Sequence, residues 1–176
     1  LLVKLGNREV GYGETPVYQV VSVGYFSSGS QRVVDLTANS QVQGRKVTIT
    51  DGASGKAEFN IGISSPALSG SGQVSVGTYG LVAENKVLTS ANFNNKLVLQ
   101  GNLEVKTKSL AVSLTSTKSK TYDGNVQMTS LTLALSTPLT GDEVTAAGTG
   151  AYSGKNVGET NYTVSGITLS GSDAFN

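Results

Sequence analysis

Apolar and polar residues alternate along eight short stretches: Val17 to Val23, Val47 to Thr50, Phe59 to Ile63, Leu97 to Leu99, Leu103 to Val105, Leu110 to Leu114, Leu131 to Leu135 and Tyr162 to Leu169. A period of two puts alternate side chains on one face of an extended backbone, so each stretch predicts a β-strand with one buried side. Between them stand Ser27-Ser28-Gly29-Ser30, Asp51-Gly52, Ser69-Gly70-Ser71-Gly72, Asp123-Gly124 and Ser170-Gly171-Ser172. Glycine at such points admits positive φ, and the chain can reverse into the next strand. The pattern predicts an all-β protein of short strands, built as an immunoglobulin-like sandwich or a β-grasp-like sheet.

Gly80 to Leu88 and Gly141 to Ala147 are the two stretches that tempt a helical reading. Both are short, carry β-branched residues and are flanked by glycine, so isolated nucleation is unfavourable and a single turn is the most expected there. Leu103 to Leu114 runs without Gly or Pro from one alternating segment into another. A boundary near Lys108 divides the chain into 1–108 and 109–176, two small β-domains expected in an elongated tandem. A right-handed β-helix is the other filamentous architecture, but it requires repeats of about twenty residues throughout, and the chain lacks them.

Composition narrows the chemistry. The 176 residues are long enough to bury a core and include 22 Gly but no Cys, His or Trp. That removes disulfides, thiol nucleophiles, imidazole bases and the commonest metal ligand together. Formal charge is +1, with ten Lys/Arg against seven Asp/Glu through Lys108 and three against five after it. The basic residues are scattered singly, which is no nucleic-acid footprint. No apolar run approaches the roughly 18 residues of a transmembrane helix, and the opening Leu-Leu-Val-Lys reads as an internal segment of a longer chain.

Two units repeat an internal order of motifs. The first opens with Tyr12-Gly13-Glu14-Thr15-Pro16 and later passes through Val76-Gly77-Thr78-Tyr79, Asn92-Phe93 and Gly101-Asn102-Leu103-Glu104-Val105-Lys106. The second opens with Lys120-Thr121-Tyr122-Asp123-Gly124. It continues through Leu139-Thr140-Gly141-Asp142-Glu143-Val144 and Asn156-Val157-Gly158 to the run from Tyr162 to Gly171. The first unit resembles the MBG repeat of haemagglutinin-like exoproteins, and the second resembles the YDG repeat of the same proteins. Arg32 to Ser64 departs from the first pattern, and a special binding role is expected there if anywhere.

The resemblance implies a secreted, surface-associated protein of Gram-negative bacteria, exported by a two-partner system and held at the outer membrane. Its tandem repeats would serve as spacer or stalk of a large adhesin. The expected partners are neighbouring repeats of the same chain, with a host surface protein or glycan as the alternative; no nucleic-acid partner is implied. In such repeats the pattern continues past Asp173-Ala174-Phe175-Asn176 to a further strand, so the second domain is expected to lack its last strand and to keep an open sheet edge.

The residues offer little to catalysis. A Ser-His-Asp triad has no histidine to use, and a Ser-Lys pair stands at the level that chance pairing gives. Asp142 and Glu143 would face opposite ways on a strand, which fails the opposed carboxylates of a glycosidase; a polar hairpin is expected. No catalytic, cofactor-binding or metal-binding residue is therefore expected. Asp123 with Asn125, or Asp173 with Asn176, would be the oxygen ligands for calcium, but Asp before Gly is more often a turn residue. Tyr12, Gly13, Pro16, Tyr122, Asp123 and Gly124 are expected to build structural turns, with the tyrosines anchoring them. Asn161-Tyr162-Thr163 is the one glycosylation sequon.

Overall fold

A computed structural model describes residues 1–93, 96–116 and 118–176. The chain is all-β: among the described residues the helical elements are one-turn 3-10 segments at Thr37–Asn39 and Ala91–Phe93. It divides into two compact units, the first made of Leu1–Ala67 and Val74–Lys106, the second of Leu68–Gln73 and Thr107–Asn176.

Among its described residues the first unit holds ten strands: β1 (Leu2–Leu5), β2 (Arg8–Gly11), β3 (Val20–Ser27), β4 (Arg32–Asp35), β5 (Ser40–Gln43), β6 (Lys46–Thr50), β7 (Lys56–Ile63), β8 (Gly77–Leu88), β9 (Val98–Gln100) and β10 (Asn102–Lys106). One sheet has the order β4-β3-β1-β9, the other β2-β10-β8-β7-β6-β5. Alternation decides which faces are buried. Val3, Leu5 and Val23 turn inward from the first sheet, while Val47, Ile49, Ala57, Phe59, Ile61, Leu81, Leu103 and Val105 do so from the second. Phe93 packs edge-on against Tyr25, with ring centroids 5.7 Å apart. With two sheets and, among the described residues, no helix longer than one turn, this unit is closer to a sandwich than to a β-grasp sheet.

Two chain segments change sheets side by side. β1 runs parallel to β9, and β2, the next strand on, runs parallel to β10. Gly101 makes the second crossing at φ 153°. A Cβ there would lie 3.2 Å from Leu5 Cβ and from Leu81 Cδ1, so the close approach requires glycine.

Several expectations change once long-range pairing is visible. Gly80 to Leu88 does not take even the single helical turn allowed to it: it lies within β8, a 12-residue strand paired with both β7 and β10. The ladder shifts register opposite Glu58–Asn60, and Asn85, at φ 49°, takes up the extra length as a bulge. Arg32 to Ser64, the stretch that departs from the repeat pattern, supplies β4 to β7 and the buried Val47, Ile49, Ala57, Phe59 and Ile61. The strand expected from Val17 begins at Val20, leaving Val17 78% exposed.

Among its described residues the second unit has four strands: β11 (Val112–Leu114) with β12 (Leu133–Leu135), and β13 (Thr145–Tyr152) with β14 (Tyr162–Ser170), each pair antiparallel. The strand expected from Leu110 is shortened because Lys108 N–H donates to Asn176 O at 3.1 Å and Ala111 N–H to Ser136 Oγ at 2.8 Å, outside any ladder. Gly141 to Ala147 is also not helical, since β13 begins at Thr145. Tyr152 is this unit's one deeply buried apolar side chain among the described residues.

Candidate functional site

The two tyrosine turns share a sequence pattern and differ in what they do with the ring. Around Tyr12, Glu14 N–H donates to Gly11 O at 3.0 Å, and Gly11 N–H donates to Glu14 Oε2 at 2.9 Å. Gly13 has φ 82°, the positive value that this turn position reserves for glycine. Tyr12 N–H donates to Lys106 O at 2.9 Å and its ring is 4% exposed; Pro16 follows, half-buried. Tyr12 is thus a core anchor at the end of β2.

Tyr122 is 63% exposed. The turn beneath it is fixed by other groups. Gly124 has φ 75°, and Asn125 N–H donates to Asp123 Oδ1 at 2.9 Å, the local bond that makes Asp a turn residue. Lys120 closes the loop. Its ammonium has three donors, and all are used: Asp123 Oδ1 at 2.7 Å, Asn125 O at 2.9 Å and Gln127 O at 2.9 Å. The same Nζ lies 5.8 Å from the centre of the Tyr152 ring, near enough for a favourable cation–π contact. The Lys120 ammonium, followed by the Asn125 N–H, holds the Asp123 carboxyl below its ordinary pKa.

Opposite stands a second tight loop. Glu159 N–H donates to Asn156 O at 3.3 Å and Gly158 has φ 83°. Asn161 N–H donates to Glu159 Oε1 at 2.9 Å and is the main cause of that carboxyl's lowered pKa. These loops enclose a cavity of about 140 Å³ lined by Tyr122, Asn125, Tyr152, Asn156, Val157 and Thr160 among others. A second hollow of about 470 Å³ shares Ser119, Lys120, Tyr122, Asp123 and Tyr152 with it and extends to Met128 and Ser130. The walls present amides, hydroxyls and aromatic surface together with the charged side chains of Lys118, Lys120, Asp123, Lys155 and Glu159. Their chemistry is that of hydrogen bonding and stacking.

The remaining candidates lie elsewhere. Asp142 and Glu143 precede β13, where Asp142 Oδ1 accepts from Ser71 N–H at 3.0 Å and Glu143 Oε2 from Ser172 Oγ at 3.3 Å. Asp173 is 6% exposed. It accepts from Gly70 N–H at 3.2 Å, Glu143 N–H at 3.0 Å and Asn176 Nδ2 at 3.3 Å. Among the described residues no group of three or more acidic side chains is gathered for a metal ion. Asn161 is exposed, immediately before β14. Lys120 could have been suspected from its place two residues before Tyr122; nothing in the sequence tied Gly70 to Asp173, 103 residues apart.

Mostly antiparallel strands, tight glycine turns and a division into two units define an all-β protein of small modular domains. Residues 106–176 match the family model of the YDG domain, and the YDG reading of the second unit stands on that match. No curated protein and no solved structure matches the chain.

Proposed function

We propose that this chain is a spacer within the stalk of a large secreted bacterial surface adhesin, an MBG-like repeat (1–108) followed by a YDG-like repeat (109–176), with no enzymatic role. The observation that carries the reading is the YDG match over residues 106–176, together with a second compact β unit that opens with a related tyrosine turn. Repeat modules of this kind extend a chain in proportion to their number, because each contacts chiefly its neighbours. The role is mechanical: to hold a distal binding region away from an outer membrane reached by two-partner secretion. Solution scattering tests it. A single compact body of 176 residues has a radius of gyration of about 16 Å. The spacer reading expects a clearly larger value with two resolved bodies, and a value near 16 Å overturns it.

A second reading is favoured by one specific surface. On the four-stranded sheet, Leu2, Phe26, Val33 and Val98 are 47%, 61%, 73% and 55% exposed around an open hollow of about 590 Å³. Exposed apolar patches of this kind mark interaction sites more often than chance, and Val33 belongs to the 32–64 stretch. On this reading the chain itself contacts a host protein or glycan. Beads coated with the wild-type chain should then adhere to host cells, and beads carrying Phe26→Ser with Val33→Lys should not. Equal adhesion by both removes this surface from consideration.

A further inference from the structure

The two tyrosine turns arise from related motifs, yet one ring fills a core and the other stands in solvent at 4% and 63% exposure. A turn anchor needs its ring buried. The second turn does not rely on Tyr122, since Lys120, Asp123 and Gly124 already fix it through three ammonium hydrogen bonds, an Asx bond and a positive φ. The exposed ring is therefore free for another use, and it lines both hollows of the cleft.

We propose that the cleft between the Lys118–Asn125 and Gly154–Thr160 segments of the second unit is a saccharide-binding site, with Tyr122 as its stacking platform. The cleft's charges are largely spent within the protein. Lys120 is taken up by Asp123 and two carbonyls, Glu159 by the Asn161 N–H, and Lys118 lies 5.4 Å from the Tyr162 ring centre. Lys155 also lines the cleft, but it is exposed and water screens its charge; beside it a ligand meets uncharged groups: the amides of Asn125 and Asn156, the Thr160 hydroxyl, and the surfaces of Tyr122 and Val157, the last 87% exposed. An uncharged polyhydroxylated ring with one apolar face matches that set, because hydroxyls pair with amides while the C–H face lies on an aromatic ring that is itself part apolar and part polar. Size sets the length of the ligand. The cavity of about 140 Å³ is smaller than the roughly 300–1,000 Å³ of sites for drug-sized molecules, which suits one sugar unit. The neighbouring hollow of about 470 Å³ has room for the units that follow. Both loops are held by internal hydrogen bonds, so little ordering remains to oppose binding.

The site goes beyond the spacer role and lies in the other unit from the apolar sheet face. The test applies the full chain to a printed array of uncharged oligosaccharides and, in parallel, to an array of uncharged unstructured peptides. The expected result is saturable binding to a subset of the oligosaccharides, weakened at least tenfold by Tyr122→Ala and kept within about threefold by Tyr122→Phe. Tyr122 is exposed enough that both variants keep the fold, which circular dichroism verifies. No bound oligosaccharide, binding to peptides alone, or binding indifferent to Tyr122→Ala each overturns the proposal. All three results leave the spacer reading standing, because that reading is decided by scattering.

Discussion

Removing the Asp173 carboxylate should cost the second unit a large part of its stability. The side chain is 6% exposed and its partners are polar groups rather than a cation: the Gly70 and Glu143 N–H groups, the Ser172 hydroxyl and the Asn176 amide. In Asp173→Ala the two part-buried backbone donors lose their acceptor, and a donor left unpaired costs about 1–3 kcal/mol when fully buried and less when water reaches it. Two terms oppose this. The variant no longer buries a carboxylate, and water can reach part of the vacated space, so the net loss is placed at about 2 kcal/mol. At 1.4 kcal/mol per factor of ten, that is roughly a thirtyfold shift in the local opening equilibrium. Hydrogen exchange at the Gly70 and Glu143 amides reads it directly, and it suits a two-unit chain for which one global unfolding transition is ill defined. Both amides should exchange about thirtyfold faster in Asp173→Ala and only a few-fold faster in Asp173→Asn, whose amide oxygen still accepts. Protection unchanged within twofold in the alanine variant would refute the assignment of Asp173 as the tie holding Leu68–Gln73.

Phe59 is 2% exposed in the first unit's core, and Phe59→Ala should lower that unit's stability by about 3–5 kcal/mol, measured by chemical denaturation. Gly101→Ala places a Cβ against Leu5 and Leu81 at positive φ and should cost at least about 1 kcal/mol; a neutral result would show that the sheet crossing relaxes freely. Lys120→Met should cost about 1 kcal/mol, since the Asn125 and Gln127 carbonyls lose a charged donor but lie in exposed residues. It should also speed hydrogen exchange in the Tyr122 loop. Acid should destabilise the protein: Asp35, Asp51, Glu58, Asp123 and Glu159 all have folded pKa values below their ordinary ones. Their contribution is complete above the unfolded carboxylate value of about 4 and fades as pH falls through the lower folded values. A melting temperature that stays level from pH 6 to pH 2 would contradict it.

How much of this was legible in the sequence follows from what holds each part. Val47, Ile49, Phe59, Ile61, Leu103 and Val105 alternate with polar residues, and because one face of their sheet is buried the period-two pattern marked their strands. β8 gave no such signal: its Ala-Glu-Asn-Lys-Val-Leu end reads equally well as helix, and only pairing with β7 and β10 on either side decides for strand. The short strands β1, β2, β4 and β5 escaped for a related reason, since four residues carry too few alternations to stand out. In the candidate cleft, the Tyr122 turn was visible as a motif, but the fate of its ring was not. Tyr12 and Tyr122 are both tyrosine before or near glycine, and burial depends on whether surrounding strands leave a core for the ring to enter.

That last contrast extends to the whole of each unit. Among the described residues, fifteen of the sixteen deeply buried apolar side chains belong to the first unit and one, Tyr152, to the second. With so little apolar surface removed from water, the second unit leans on individual polar ties. Asp173 gathers Gly70 and Glu143, and Lys120 gathers Asp123, Asn125 and Gln127. Glycine makes the first of these possible: a Cβ on Gly70 would overlap the Gly141 carbonyl, and one on Gly171 would overlap that of Glu143. A fold held this way is sensitive at a handful of polar and glycine positions and tolerant elsewhere, the reverse of a fold held by a packed core. Substitutions on the exposed face of β14, such as Thr168→Ala, should therefore be nearly silent, while Gly70→Ala or Gly171→Ala unfolds the unit; the opposite ranking in a thermal scan of the three variants would show that burial, and not these ties, governs its stability.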